Sequence, residues 1–432
     1  MLPKPKKDIT LPSSYRPITL LSSVSKVFER LLLRHLVPNI TLRPEQFGFR
    51  AEHSTPLQLT RLIHQLASIL NKKETAVAVM LDMEKAFDRV WHDGLIYKLT
   101  RTQTPKRVVK VIKSFLEGRS FHVRMEEGIT TPDYPIEAGV PQGSCMSPVL
   151  YSLYTDDIPT TTDTTIYLYA DDVAYAASSL NAQFAAKKLQ RVLDDLPRWM
   201  TKWRLAANVA KTQAIVFGSR STTETPKLKM HGQSIPWAPR VTYLGVQIDR
   251  RLTFQKHAQE ARNRASAAMA KLSPVLKSKL PLRTKLGLYK TYIRPHLTYA
   301  APAWYALTST TTKKTLEAQQ SKALRTITGA PRYVRNDVIR RDLKTETLEA
   351  FIRGLANNMF VRADAAEASH LQDIAPLHAR PPDRHQLPRD ILRDRRLNRR
   401  SLSLGLSQVA GSLTRRGLDR LRPREATVAW TE

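Results

Sequence analysis

The chain has one cysteine in 432 residues, Cys145. A single thiol excludes an internal disulfide, a CxxC redox pair and a structural zinc site built on cysteines within this polypeptide. Cys145 itself reads as a small, inert helix residue. No Cys/His knuckle is present, no internal repeat of solenoid period occurs, and no set of acids suggests a ribonuclease H site. No apolar run reaches the length that crosses a bilayer, and the opening MLPKPKKDIT lacks a signal-peptide core. Acidic charge is scarce: 38 Asp and Glu stand against 69 Lys and Arg, a formal net charge of +31. That imbalance favours a polyanion, and with no membrane segment the expected partner is nucleic acid, met in the nucleus or cytoplasm. Hydrophobic content of 42% is ample for a core, and the length suits two or three substructures.

The scarce acids are not evenly spread, and adjacent Asp pairs occur at three places. Asp156-Asp157 follows a helical run and precedes Ile158-Pro159, so it reads as a solvated helix end. Asp194-Asp195 falls on the outer face of the amphipathic pattern Leu189, Val192, Leu193, Leu196. Asp171-Asp172 differs, because apolar, β-prone segments flank it on both sides in TTIYLYADDVAYAA. A tight hairpin would carry both acids at its tip. Partly burying two like charges costs several kcal/mol unless cations compensate, which points to a divalent metal.

A second acidic strand strengthens that reading. Thr75 to Leu81, TAVAVML, ends on Asp82, which lies 89 residues before Asp171. The two segments suit neighbouring strands of one sheet with other elements inserted between them. Three carboxylates on adjacent strands can bridge two Mg²⁺ ions about 3.5–4 Å apart, with Mn²⁺ as a substitute. That arrangement serves in-line displacement: one metal activates a 3′-hydroxyl and the other holds a triphosphate.

The motifs occur in a fixed order: SSYRPITLLSSVSKVFERLL from Ser13, EQFGFRAEHST from Glu45, VMLDMEKAFDRV from Val79, GVPQGSCMSPVLYSLY from Gly139, YADD from Tyr169, WRLAANVAKTQAIVF from Trp203 and VTYLGVQID from Val241. In this order they resemble the reverse transcriptase of non-LTR retrotransposons, the jockey-like elements in particular, with weaker similarity continuing through YKTYIRPHLTYAAPAW. The resemblance implies an RNA-directed DNA polymerase that extends a DNA primer on an RNA template, using deoxynucleoside triphosphates. It makes Asp82, Asp171 and Asp172 the catalytic metal ligands and places Lys211 near the leaving pyrophosphate. Lysine there can act as general acid or electrostatic stabiliser. Phe87 would lie under the incoming sugar and exclude a 2′-hydroxyl; core packing is the other reading of that ring. Gln142 and Gly143, in the PQG turn, would contact the nascent base pair and the template. Arg50 would contact the nucleotide and Arg16 a phosphate, while His53 reads as local hydrogen bonding. Tyr243, Leu244 and Gly245 resemble the hairpin that grips the primer end. Asp88 reads as capping or solvating a helix that begins near Val90.

The expected fold class is α+β, a right-hand polymerase with fingers, a ferredoxin-like palm and a helical thumb. Residues 1–75 would form partial fingers, 76–254 the palm with a fingers insertion at about 96–137, and 255–350 a helical thumb. The thumb's basic faces, Arg262, Arg264, Lys271, Lys277 and Lys279, suit a duplex minor groove. Residues 351–432 would form a basic C-terminal region whose Arg393, Arg395, Arg396, Arg399 and Arg400 would meet RNA or target DNA or serve nuclear import; the alternative is a poorly ordered remnant. The chain starts about a dozen residues before YRPI and offers no segment for an endonuclease, so a truncated element is expected. The alternative function is a catalytically inactive remnant that binds nucleic acid. An intron-type maturase is disfavoured because its additional regions are not evident.

Overall fold

The computed structural model describes residues 2–3, 8, 10–11, 14–16, 18–123, 130–218, 226–372, 374–377 and 384–393. Met1–Ile391 form one compact unit and Leu392–Glu432 a second. The arginine cluster beyond Arg393 lies outside the described residues, as do Arg415 and Arg416.

In chain order, the first part of the larger unit contains α1 (Ser23–Leu36), α2 (Thr55–Asn71), β1 (Thr75–Asp82), α3 (His92–Thr100), α4 (Lys106–Leu116), α5 (Ser147–Tyr154), β2 (Thr165–Tyr169), β3 (Asp172–Ser179), α6 (Ala182–Lys202), β4 (Gln213–Phe217), β5 (Arg240–Tyr243) and β6 (Val246–Asp249). The remainder is helical: α7 (Gln255–Lys277), α8 (Leu282–Leu288), a π turn at Tyr289–Ile293, α9 (Arg294–Thr298), α10 (Ala301–Trp304), α11 (Thr310–Thr328), α12 (Asn336–Asp342) and α13 (Leu348–Asp364). The architecture is therefore α+β, as the sequence suggests.

Four strands form an antiparallel sheet in the order β2-β3-β1-β4. The central strand β1 is buried at every position from Ala76 to Leu81, which accounts for its unbroken apolar run: both faces are covered. Helix α6 supplies one cover. It starts where the Asn181 side chain accepts from the Phe184 N–H at 2.9 Å, and it buries Ala185, Ala186, Leu189, Val192, Leu193 and Leu196 along one stripe. Helix α2 lies along β2. The Arg61 guanidinium sits 4.7 Å over the Tyr167 ring and donates to the Ile166 carbonyl at 3.1 Å, and Gln65 donates to Thr165 Oγ1 at 2.8 Å. The covers hold the sheet so that the register of β1 against β3 decides what stands at its open end.

Two local expectations change. Asp156 and Asp157 are not simply solvated: Asp156 Oδ1 accepts from the Arg43 N–H at 2.8 Å, while Asp157 accepts from the Lys98 ammonium and from Trp199 Nε1. A buried lysine and an indole N–H both need acceptors, and the chain reversal after α5 delivers them. Asp194, by contrast, faces solvent as the amphipathic pattern implies, accepting from Gln190 four residues earlier.

Leu189→Ala tests the α6 cover. The side chain is fully buried in the core of the sheet, so truncation should destabilise by about 2–5 kcal/mol, read as a lower urea midpoint with an unchanged slope.

Candidate active site

Asp82 and Asp172 stand directly opposite one another across the β1–β3 ladder, and Asp172 also pairs with Tyr169 across the hairpin. Ala170 and Asp171 thus form a two-residue turn, with Asp171 exposed at its tip. Ala170 is buried and has φ +57°, a left-handed conformation that costs an L-residue with a Cβ about 1–2 kcal/mol.

The turn is supported from a segment more than a hundred residues away. Gln46 is buried, and its Oε1 accepts from the Gly48 N–H at 2.8 Å and from the Ala170 N–H at 3.1 Å. Phe47 donates to the Leu168 carbonyl at 2.9 Å, and Leu168 donates back to Glu45 at 3.2 Å. A Cβ on Gly48 would lie 2.3 Å from the Ala170 nitrogen, so only glycine lets the two backbones come this close. The EQFG run therefore braces the acidic hairpin. Gln46 escapes sequence reading because nothing local marks it as buried.

Asp82 is fixed in a similar way by the segment before β4. The Asp82 carbonyl accepts from the Asn208 N–H at 2.8 Å, the Asp82 N–H reaches Thr212 Oγ1 at 3.3 Å, and Glu84 donates to the Ala206 carbonyl at 2.8 Å. This backbone pairing sets Lys211 over the acid, with Nζ 3.5 Å from Asp82 Oδ2. The lysine and the three aspartates thus meet at one end of the sheet.

Partial desolvation and the neighbouring carboxylates Asp171 and Asp82 push the Asp172 carboxyl up to about 6, although by surface area the residue is exposed at the end of its strand. A carboxyl raised by its own kind is a site short of positive charge. Among the described residues no three His, Cys, Asp or Glu side chains converge closely enough to enclose a metal ion by themselves. An open site of one or two carboxylates is nonetheless what Mg²⁺ uses when water and substrate phosphates complete its shell, so the donor set fits such an ion. Beneath the acids lies Tyr151, fully buried, its hydroxyl raised by burial and by Asp171 and the other nearby acids. The Phe87 ring stacks on Tyr151 at 4.5 Å and meets Phe49 edge-on at 6.3 Å. It is half-buried, one side in the core and one side accessible.

Of the remaining sequence-derived residues, Arg50, His53, Gln142 and Gly143 are engaged within the chain. Arg50 Nη1 donates to the carbonyls of Arg43 at 3.0 Å and Gln46 at 3.3 Å, and burial lowers its pKa. The Arg16 backbone pairs with Leu2 in a two-residue strand; its side chain is outside the described residues. His53 Nδ1 bonds the Ala51 carbonyl at 2.7 Å, and its Nε2 also meets His370 Nε2 at 2.8 Å. Gln142 donates through Nε2 to Asp88 Oδ1 at 2.8 Å, so Asp88 anchors the PQG turn rather than capping a helix, and the helix begins only at His92. Gly143 has φ +131°, and a Cβ there would lie 2.5 Å from the Thr19 carbonyl oxygen. Cys145 lies ahead of α5 rather than in it, its N–H donating to Glu29.

At Tyr243-Leu244-Gly245, Leu244 and Gly245 both take positive φ, +46° and +77°, as a tight hairpin requires. The buried Tyr243 hydroxyl reaches the Tyr167 carbonyl at 3.3 Å, and the Tyr299 hydroxyl donates to the Leu244 carbonyl at 2.9 Å. Tyr299 follows α9, and the presence of Asp172 and Tyr169 nearby adds to the burial that raises its hydroxyl pKa. The turn is therefore tied both to the acidic hairpin's strand and to the helical part. Tyr299 stands in the YIRPHLTYAAPAW stretch, where similarity was visible but a role was not.

Residues 3–248 match the family model for reverse transcriptase (RNA-dependent DNA polymerase). The chain is similar to the RNA-directed DNA polymerase from mobile element jockey of Drosophila melanogaster, 37% identical over 84% of this chain and 41% of the relative. It is also similar to the probable RNA-directed DNA polymerase from transposon X-element of the same species, 37% identical over 91% of this chain and 44% of the relative. The jockey protein of Drosophila funebris is 36% identical over 92% of this chain and 44% of that protein. The chain thus spans less than half the length of these relatives.

The raised Asp172 carboxyl has a consequence for stability. A group whose pKa is higher in the folded state favours folding when protonated, and that contribution is lost as pH rises through about 6. In metal-free protein, Asp172→Asn should therefore raise Tm at pH 7.5 and leave it nearly unchanged at pH 4. Melting curves at the two pH values check this, and a pH-independent difference would refute it.

Proposed function

The chain belongs to the reverse transcriptase family, and on that premise we propose that it extends a DNA primer on an RNA template as the polymerase of a non-LTR mobile element. The observation that carries this reading is the register that sets Asp82 opposite Asp172, with Asp171 at the turn between β2 and β3. Asp82, Asp171 and Asp172 would hold two Mg²⁺ ions, or Mn²⁺ in their place. Bound there, the metals activate the primer 3′-hydroxyl and neutralise the triphosphate.

The chain's own side chains then have separable tasks. Lys211, already paired with Asp82, is placed to meet negative charge as it develops on the leaving pyrophosphate. Phe87, pinned against Tyr151, offers its accessible edge to the sugar and crowds a 2′-hydroxyl. Gln142 and Gly143 line the template side, while Arg50 and Arg16 supply positive charge toward phosphates. Tyr243, Leu244 and Gly245 support the primer end. In this reading 1–75 and about 96–137 are fingers, the rest of 76–254 the palm, 255–350 the thumb, and 351–432 a basic nucleic-acid-binding region. The substrates are deoxynucleoside triphosphates, an RNA template and a DNA primer or nicked target, encountered in the nucleus or cytoplasm.

Extension of oligo(dT) on poly(rA) with Mg²⁺ and dTTP tests the proposal. Asp82→Asn and Asp171→Asn should each lower extension by about 10³-fold or more while primer-template affinity stays within a few-fold, and chelation of the metal should abolish it. Retained synthesis in either variant would sink the metal assignment. Phe87→Val should raise incorporation of rUTP relative to dTTP by about tenfold or more, measured as a ratio of kcat/KM. An unchanged ratio would return Phe87 to a packing role.

A further inference from the structure

Helix α11 ends at Thr328, and the chain turns into α12 at Asn336. Gly329 stops the first helix with φ +68°, its N–H donating to the Arg325 carbonyl at 2.9 Å. Pro331 then opens a tight turn, closed where the Val334 N–H donates to the Pro331 carbonyl at 3.2 Å. Arg332 and Tyr333 occupy its two central positions, and both are exposed.

Arg325 holds this turn from within. Its Nη1 donates to the Pro331 carbonyl, and its Nη2 donates to the Val334 carbonyl and to Asn336 Oδ1, each at 2.8 Å. One guanidinium thus ties both ends of the turn and the start of α12 to the last turn of α11. A turn with its carbonyls committed in this way has little backbone freedom left to lose when something binds at its tip.

What the tip presents is an aromatic ring in water. Tyr333 is 84% exposed, more than any other phenylalanine, tyrosine or tryptophan among the described residues. Between 300 and 360 no other large apolar side chain is exposed; Val334 is half-buried and Ile339 buried. The ring is therefore not the centre of an apolar patch formed by its own segment. Its neighbours are cationic instead. Arg332 forms no ion pair among the described residues. The Arg335 and Arg341 side chains are largely exposed and pair with Asp337 and Asp342 of the same helix. Exposed pairs of this kind hold weakly and give way to a phosphate at small cost.

A ring without apolar company and with cations around it suits a flat, anionic partner. Nucleobases on a phosphate chain supply both features. In a duplex the bases already stack on one another and offer no free face, so the partner is single-stranded. We propose that the Pro331–Val334 turn is a binding site for single-stranded nucleic acid, in which Tyr333 stacks on an unpaired base while Arg332, with Arg335 and Arg341, takes the flanking phosphates. The turn lies beyond residue 248, where the reverse transcriptase match ends, and its role does not depend on the polymerase reading. Stacking accepts any base on either sugar, so the strand has two sources, RNA and single-stranded DNA.

Binding of the full chain to fluorescent oligo(dT) and oligo(rU) of about 15 nucleotides, read by anisotropy in EDTA without triphosphates, tests this. A blunt DNA duplex of the same length is the control. Tyr333→Ala should weaken single-strand binding about fivefold or more and leave duplex affinity unchanged, while Tyr333→Phe should stay within about twofold of wild type. Arg332→Gln should make the slope of log K against log salt concentration shallower by about 0.7, the share of one phosphate contact. A loss shared by both oligonucleotides marks a sugar-tolerant site, and a loss confined to one names the strand it takes. The exposed ring should be replaceable without a change in Tm. Location is read separately: 5-iodouracil in the bound strand, irradiated, should cross-link to the peptide that contains Tyr333. The proposal is overturned if Tyr333→Ala leaves single-strand affinity unchanged, if it weakens duplex binding equally, if Tyr333→Phe behaves like Tyr333→Ala, or if cross-links fall on other peptides alone. No chemistry is required, so protein that fails to extend a primer can still bear this site out, and protein that extends one can still lack it.

Discussion

Mutual repulsion among Asp82, Asp171 and Asp172 is the constraint around which this molecule is arranged. Two of these acids face each other across adjacent strands, and the third occupies the turn between neighbouring strands. Left alone, such a cluster would push its supporting elements apart, and the raised Asp172 carboxyl records that pressure. The fold opposes it with apolar burial from Ala76 to Leu81 of β1, helix α6 over the sheet, and the Lys211 cation on Asp82.

Much of this was legible because strands announce themselves locally. The apolar runs on either side of Asp171-Asp172 and before Asp82 were enough to place three acids on neighbouring strands, and the structure puts two of them in direct register. The PQG turn, with its glycine in a conformation closed to other residues, was legible for the same reason. The supporting polar residues were not. Gln46, Glu29 and Tyr299 act across 124, 115 and 55 residues of sequence, and no short-range pattern distinguishes a buried glutamine or glutamate from a solvated one. The misreadings of Asp88, Asp156 and Asp157 share this cause: each carboxylate finds its donor on a distant element.

A second regularity concerns groups that the sequence suggested for ligands. Arg50, Gln142 and Gly143 are each committed to the chain itself, through two carbonyls, a carboxylate and a close backbone approach respectively. Such commitments do not remove these groups from function. They fix the direction of whatever atoms remain, and a site made of fixed dipoles needs little rearrangement when charge develops in it.

The brace between Gln46 and the Ala170 turn also has a bearing on how the molecule is made. Its two halves are 124 residues apart, so the acidic hairpin acquires its final turn only by closing a long loop. The supporting half emerges from the ribosome first. It waits through the synthesis of four helices and the central strand before the hairpin that it receives exists. Completion of the acidic centre is thus tied to the assembly of everything between those two points. A chain that collapsed locally and early would have the hairpin strands without the Gln46 contact that holds their turn.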